Sequence, residues 1–316
     1  MALDQYSHEW LVSNLGSSVS FNEPMAKHTS IRIGGPAEAY IVPENLPNLI
    51  RLVQWSVKHS ISYLIIGNGT NLLVRDGGIK GLVISLARCL NEIKVLEKNP
   101  QGVIVCTLAG VAMPSLCNYA IKNGFKGLNF ALGIPGTIGG CIAANAGTSH
   151  GSVDEVLKAV KVLLPSGKIK ILPREQLFFS YRKLTWPQTD GPIHPGSAVI
   201  LEGHFDLQHS GAQKLRQEAD QILQKRRQQQ PVGALSTGCV FRNPLKGRTA
   251  GELIDRAGLK TKSIGGVTIS AKHANFFINT GKATAADFIA LVAAARDAVS
   301  AKYDVDLEPE VKIVGA

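Results

Sequence analysis

No apolar run in this 316-residue chain approaches the roughly 18 residues that a bilayer-spanning helix needs, so membrane insertion is not expected. The first nine residues carry neither a basic segment nor an apolar one, and no export signal is expected. The five cysteines (89, 106, 117, 141 and 239) are odd in number and include no Cys-x-x-Cys pair. Without an export signal they are expected to be reduced thiols of a cytoplasmic protein. No His-Glu-x-x-His and no close His/Cys spacing points to a metal. The chain also lacks a Gly-x4-Gly-Lys-Ser/Thr loop, which removes the P-loop nucleotidases. Gly67 and Gly69 have no third glycine at position 72 and run into Leu72-Leu73-Val74 rather than a helix, which removes the dinucleotide fingerprint.

Glycine is what the chain has in an unusual place. From Gly124 to Gly147, seven glycines and Pro135 are set among Ala, Ile and Leu. A flexible linker would be polar and a plain core strand would avoid glycine, so either a glycine-rich bend in a sheet or a ligand-facing loop is indicated. Lacking Cβ, glycine lets the backbone approach a flat or phosphorylated ligand and present N–H groups to an anion. A second segment, Tyr63 to Gly78, reads as strand, Gly-Asn-Gly-Thr-Asn turn, short apolar strand and Asp-Gly-Gly turn. This places a second glycine loop between strands.

Composition is that of a globular protein, 45% apolar and 18% charged, long enough for two or three domains. The net charge of +10 is uneven: ten Lys/Arg fall between Lys225 and His273 against only Glu252 and Asp255. A solvated basic face, a nucleic-acid footprint and a cleft for small polyanions all fit such a run. The absence of interleaved aromatics and of any nucleic-acid motif argues against the second, and the third is favoured.

Helical periodicity at Leu46, Leu49, Ile50, Val53 and Val57 predicts a helix over residues 46–59, followed by a buried strand at 61–66. Short apolar runs between residues 82 and 201 predict a strand-rich region with tight turns. Helices are expected over residues 211–228, over 249–257, and after a capping box at Thr284 to Asp287. The tail 306–314 reads as a strand.

Seven segments in order carry a resemblance along nearly the whole chain. They are His28-Thr29-x-Ile-Arg32-Ile33-Gly34-Gly35-Pro36-Ala37-Glu38, the Gly67–Asn71 loop, the Gly133–Gly147 loop, and Phe179-Ser180-Tyr181-Arg182. Further on come Gly238-Cys239-Val-Phe241-Arg242-Asn243-Pro244, Ile264-Gly265-Gly266 through Lys272-His273-Ala274, and Leu307-Glu308-Pro309-Glu310-Val311. The two glycine loops resemble those of vanillyl-alcohol-oxidase/PCMH-type flavoproteins. The full set is similar to the UDP-N-acetylenolpyruvoylglucosamine reductases (MurB) of peptidoglycan synthesis. The resemblance implies an α+β, three-domain, PCMH-type FAD-binding fold with a C-terminal α+β substrate domain. It divides the chain at 1–78 (completed by 304–316), 79–207 and 208–303.

The same resemblance implies non-covalent FAD, NADPH as hydride donor, a UDP-sugar substrate, and a cytoplasmic monomer with no nucleic-acid partner. Arg182, Cys239 and Glu310 match the family's catalytic set. Arg182 would hold the substrate carboxylate and developing enolate, and Glu310 would polarise that carboxylate. Cys239 stands where the family usually has serine and would give the final proton, which a thiol of ordinary pKa about 8.5 does more readily than an alcohol. FAD would lie along Arg32, Ile33, Gly34, Gly67, Asn68, Gly69, Thr70, Asn71, Gly133, Ile134, Gly136, Thr137, Gly140, Asn145 and Gly147. Substrate would meet Tyr181, Lys225, Arg242 and Asn243. Only the short stretch 183–195 follows the Tyr-Arg motif, which implies the shorter subtype lacking a tyrosine-bearing loop. An FAD oxidase on the same fold, or a non-catalytic basic binding protein, remain the alternatives.

Overall fold

A computed structural model describes residues 3–186 and 198–316, and the stretch expected to mark the short subtype falls largely outside them. The described chain forms two compact units. The first comprises Met1–Phe21, Ala39–Gly67 and Gly81–Gln224; the second comprises Asn22–Glu38, Asn68–Lys80 and Lys225–Ala316.

The first unit is built on an antiparallel sheet ordered Ile169–Pro173, Leu157–Leu163, Val199–His209, Gly102–Leu108, Ile93–Lys98, with Phe125–Lys126 pairing the end of Val199–His209. Gly102–Leu108 is buried at six consecutive positions, so both faces of this strand are covered. In the same unit Tyr63–Ile66 pairs in parallel with Leu82, Val83, Ile84 and Ser85. Helix Leu46–Lys58 starts where expected because the Asn45 side chain caps it, accepting from the Asn48 N–H. Its Trp55 stacks on Trp10 with centroids 4.1 Å apart. Two helices here, Gln5–Leu15 and Met113–Lys122, were not anticipated from the sequence.

The second unit is a four-stranded antiparallel sheet ordered Ser236–Cys239, Phe276–Asn279, Val267–Ile269, Ser263–Ile264, with helices Ala250–Arg256 and Ala285–Tyr303. Its core joins Phe241, Phe277 and Phe288 to Ile31, Ile33 and Leu73. The expected capping box is present at Thr284: its hydroxyl accepts from the Asp287 N–H while the Asp287 carboxylate accepts from the Thr284 N–H. The tail departs from expectation, since only Lys312–Val314 is strand, lying parallel to Leu72–Val74. Pro309 has no N–H for a ladder, and residues 306–311 instead make one isolated bridge, Phe241 to Pro309. The fold is α+β.

Candidate active site

Four of the seven sequence motifs meet within the second unit. Backbone bonds tie Gly238–Asn243 to Leu307–Val311: the Arg242 N–H donates to Glu308 O at 2.9 Å and the Glu310 N–H to Val240 O at 2.7 Å. Cys239 and Glu310 therefore each sit within two residues of the Phe241–Pro309 bridge. Asn275 locks that bridge from the other side. Its side chain accepts from the Phe241 N–H at 2.9 Å and donates to Phe241 O at 2.8 Å, with Asn275 only 2% exposed. Such double satisfaction of one buried peptide fixes the strand in position.

The His28–Gly34 loop joins the same assembly. Arg32 holds a left-handed φ of 57°, uncommon for a residue with a Cβ. It is held there by the Arg32 N–H donating to Thr29 O, the Thr29 hydroxyl donating to Ile33 O at 2.8 Å, and the Asn279 amide donating to Ile31 O at 2.9 Å. The Ile33 side chain is buried in the core, so only its backbone is available to a ligand. The second glycine loop packs against this one: the Ser30 N–H donates to Gly69 O. A Cβ at Gly69 would fall 2.1 Å from His28 O. Asn71 donates to Glu310 O at 3.2 Å, tying the loop to the tail motif. Asn68 and Thr70 are solvent-accessible in the same turn. Gly34, at φ 147°, is required by packing, because a Cβ would lie 2.9 Å from Val74 Cβ.

Two features around Cys239 were not assigned from sequence. Arg226 is half-buried and interacts electrostatically with the Cys239 sulfur; burial lowers its pKa from the ordinary arginine value, and the sulfur opposes that shift. The Thr237 hydroxyl is buried with no hydrogen-bond partner among the described residues, and Gly238 faces open space where a Cβ would point. Arg242 forms an exposed ion pair with Glu308 at 3.6 Å. Asn243 accepts from the Ala250 N–H at 3.0 Å and so helps start helix Ala250–Arg256. Lys225 is exposed near the end of helix Ala212–Gln229.

In the first unit the main glycine loop turns through Gly133 (φ 80°), Ile134 and Gly136 into Thr137, which begins the short helix Ile138–Ala143. Gly67 belongs against this loop, since a Cβ there would come within 2.2 Å of the Thr137 hydroxyl. A Cβ at Gly140 would touch only that hydroxyl, at 3.5 Å, which leaves the backbone face open as a flat ligand requires. Gly147 has a packing reason instead: a Cβ there would meet Gly151 O and Ser152 Cβ across a two-residue strand pair. Asn145, left-handed at φ 39°, accepts from the Asp154 N–H and donates to Ser180 O at 3.3 Å. It thereby anchors the hairpin Phe178–Ser180/Lys183–Thr185, whose two-residue tip is Tyr181-Arg182. Arg182 is also left-handed (φ 59°), and its guanidinium lies 5.2 Å from the Tyr181 ring centroid. Of the seven non-glycine residues with positive φ among the described residues, three are Arg32, Asn145 and Arg182. Strained backbone of this kind persists where surroundings enforce it and is concentrated at functional sites. A separate cleft of about 390 Å³ in this unit, lined by Lys126, Asn129, His150, Glu155 and Glu218 among others, contains none of the expected site residues.

The open glycine backbone at Gly140 fits a flat cofactor, and the comparisons with known proteins agree. Residues 37–172 match the FAD-binding domain family model, which makes this an FAD-binding protein of α+β fold. Residues 230–314 match the C-terminal domain of UDP-N-acetylenolpyruvoylglucosamine reductase. The chain is 38% identical over 313 residues to the enzyme of that name from Desulfosudis oleivorans, covering 99% of this chain and all of the relative. It is 36% identical over 297 residues to the one from Clostridium kluyveri, covering 94% and 93%. The crystal structure of the Thermus caldophilus reductase (MurB) matches with TM-score 0.75 at 30% identity, covering 94% of this chain and 98% of that one. The chain belongs to the UDP-N-acetylenolpyruvoylglucosamine reductase family.

Proposed function

We propose that this protein is the FAD- and NADPH-dependent oxidoreductase that reduces UDP-N-acetylglucosamine enolpyruvate to UDP-N-acetylmuramate in cytoplasmic peptidoglycan precursor synthesis, acting as a monomer. The observation that carries this reading is the family membership over the whole chain, together with the fixed placement of Cys239 and Glu310 about one backbone bridge. FAD, held along the two glycine loops, would supply the hydride-transfer chemistry between NADPH and the enolpyruvyl group.

The protein's own task is to orient the substrate and handle charge and protons. Arg182 offers a planar, bidentate cation to the substrate carboxylate and to the enolate charge that develops on it, a geometry lysine cannot supply. Glu310, held through its N–H on Val240 O, supports polarisation of that carboxylate. Cys239 gives its proton to the carbon beside the carboxylate, closing the reaction. The thiolate left behind is favoured by the half-buried Arg226 guanidinium next to it. Reprotonation from solvent restores the thiol. Gly67, Gly69, Gly136, Thr137 and Gly140 accept the cofactor through backbone rather than side chains. The basic run from Lys225 to Arg248 attracts the diphosphate.

The test is NADPH oxidation by the purified yellow protein with and without UDP-N-acetylglucosamine enolpyruvate. Stoichiometric formation of UDP-N-acetylmuramate supports the reading. Equal NADPH consumption without substrate, with oxygen reduced instead, identifies an oxidase and overturns it.

A further inference from the structure

The largest sheet of the first unit carries a cluster that the proposed reduction does not use. Cys106 and His204 lie directly opposite each other on the paired strands Gly102–Leu108 and Val199–His209. Glu202, two residues before His204, shares its face, because side chains repeat every second residue along a strand. Ligand atoms of Cys106, Glu202 and His204 all lie within 4.8 Å of one another. Cys106 and Glu202 are buried and His204 is partly exposed. Cys106 is nearly a hundred positions from Glu202 and His204 in sequence, which is why no ligand spacing announced the set.

We propose that Cys106, Glu202 and His204 form a binding site for a single divalent cation of the zinc class. Thiolate, imidazole and carboxylate together are a zinc or cobalt donor set, and three protein ligands leave the fourth tetrahedral position to water. The present hydrogen bonds show how the site assembles. Glu202 Oε1 accepts from Lys161 at 2.7 Å and contacts His204 Nε2 at 2.8 Å. A cation taken by Glu202 Oε2 leaves the Lys161 ion pair intact as an outer partner that orients the carboxylate. His204 Nε2 exchanges its contact with Glu202 for the metal. The Cys106 thiol, which burial and the neighbouring Glu202 charge push up to about 12, gives its proton to solvent as the sulfur–metal bond forms. The two positive charges of the metal offset one thiolate and one carboxylate, with the Lys161 ammonium remaining as the outer partner.

The experiment uses the flavin-loaded protein, stripped with a chelator, desalted and titrated with Zn²⁺ against a chromophoric competitor, with zinc-edge X-ray absorption on the loaded sample. One equivalent of zinc per chain is expected, with one sulfur at about 2.3 Å and the remaining ligands, nitrogen and oxygen, at about 2.0–2.1 Å. Cys106→Ser should remove the sulfur shell, and His204→Gln should weaken binding by at least about tenfold. Cys239→Ser should leave both readings unchanged. Retained flavin in each variant shows that it is folded. A sulfur shell that survives Cys106→Ser, an all-nitrogen/oxygen shell in the unaltered protein, or absence of stoichiometric binding overturns the proposal.

Discussion

Asn275→Ala is the substitution from which the most can be learned. Asn275 and Phe241 are 2% and 1% exposed, and the asparagine amide satisfies both the N–H and the C=O of Phe241. Alanine leaves that buried donor and that buried acceptor unpaired. Each orphaned group costs about 1–3 kcal/mol, so the two together cost about 2–6 kcal/mol, with a further loss from the small cavity. Against a typical total of about 5–15 kcal/mol this is a severe defect. It would fall on the strand that positions Cys239, and the Val240 carbonyl that receives the Glu310 N–H would lose its register. Urea unfolding should be followed both by far-ultraviolet circular dichroism and by flavin fluorescence, since the two compact units need not unfold together. The midpoint should drop strongly in the transition that reports on the second unit. Under native conditions kcat should fall while hydride transfer from NADPH to bound flavin continues. A stability loss below about 0.5 kcal/mol would mean that water or a shifted backbone satisfies Phe241, and the clamp argument would fail.

Four further outcomes follow from the same structure. Arg182→Lys keeps the charge and loses the fork, so the enolpyruvyl half-reaction should slow on the order of 10²-fold while flavin reduction is little changed; equal slowing of both, measured by stopped flow, would make Arg182 structural. Cys239→Ala should bind FAD and accept hydride from NADPH yet form little product, whereas Cys239→Ser should retain part of the activity; full turnover by the alanine variant would assign the proton to another acid. Burial, with a smaller contribution from Lys260, lowers His273 from its ordinary value of 6.5. Folding therefore excludes its proton and stability falls as pH drops below about 6.5; His273→Gln should flatten that decline in urea midpoints between pH 7.5 and 5.5, and an unchanged slope would refute it. The KM for the UDP-sugar should rise with ionic strength more steeply than kcat falls, because exposed charges of the Lys225–Arg248 run are screened over about 8–10 Å; a salt-independent KM would remove that run from diphosphate binding.

What could be read from the sequence is what is encoded locally. The capping box at Thr284 to Asp287, the start of helix Leu46–Lys58 and the strand–turn–strand around Gly67 to Asn71 each depend on residues within a few positions of one another. The helix Gln5–Leu15 was missed because it buries only Ser7, Leu11 and Leu15, too narrow a stripe to stand out. The tail was overread as one strand because Pro309 interrupts an otherwise extended pattern. Asn275 and Asn279 escaped notice for a different reason. Their partners lie 34 residues away for Asn275 and 248 for Asn279, and an isolated asparagine carries no periodicity that would announce it. Gly147 stands within the ligand-loop pattern, and its tight pairing with Gly151 and Ser152 is a second reason for glycine there that the sequence does not display.

The division of labour between asparagines and charged residues explains why the site motifs are spread along the whole chain. Arg32 and Arg182 both occupy left-handed backbone that costs about 1–2 kcal/mol per residue for any side chain with a Cβ. Neither guanidinium can hold that backbone by itself. Asn279 fixes the peptides on either side of Arg32, and Asn145 fixes Ser180 just before the tip of the Arg182 hairpin. Asn275 does the same for the strand after Cys239. A short amide can accept and donate at once, so one buried asparagine can replace the two ladder bonds that an irregular segment forgoes. Under the proposed function the asparagines hold the backbone while Arg182 and Cys239 supply charge and a proton. Their substitution should consequently change chemistry at nearly constant stability, while substitution of the asparagines should change both.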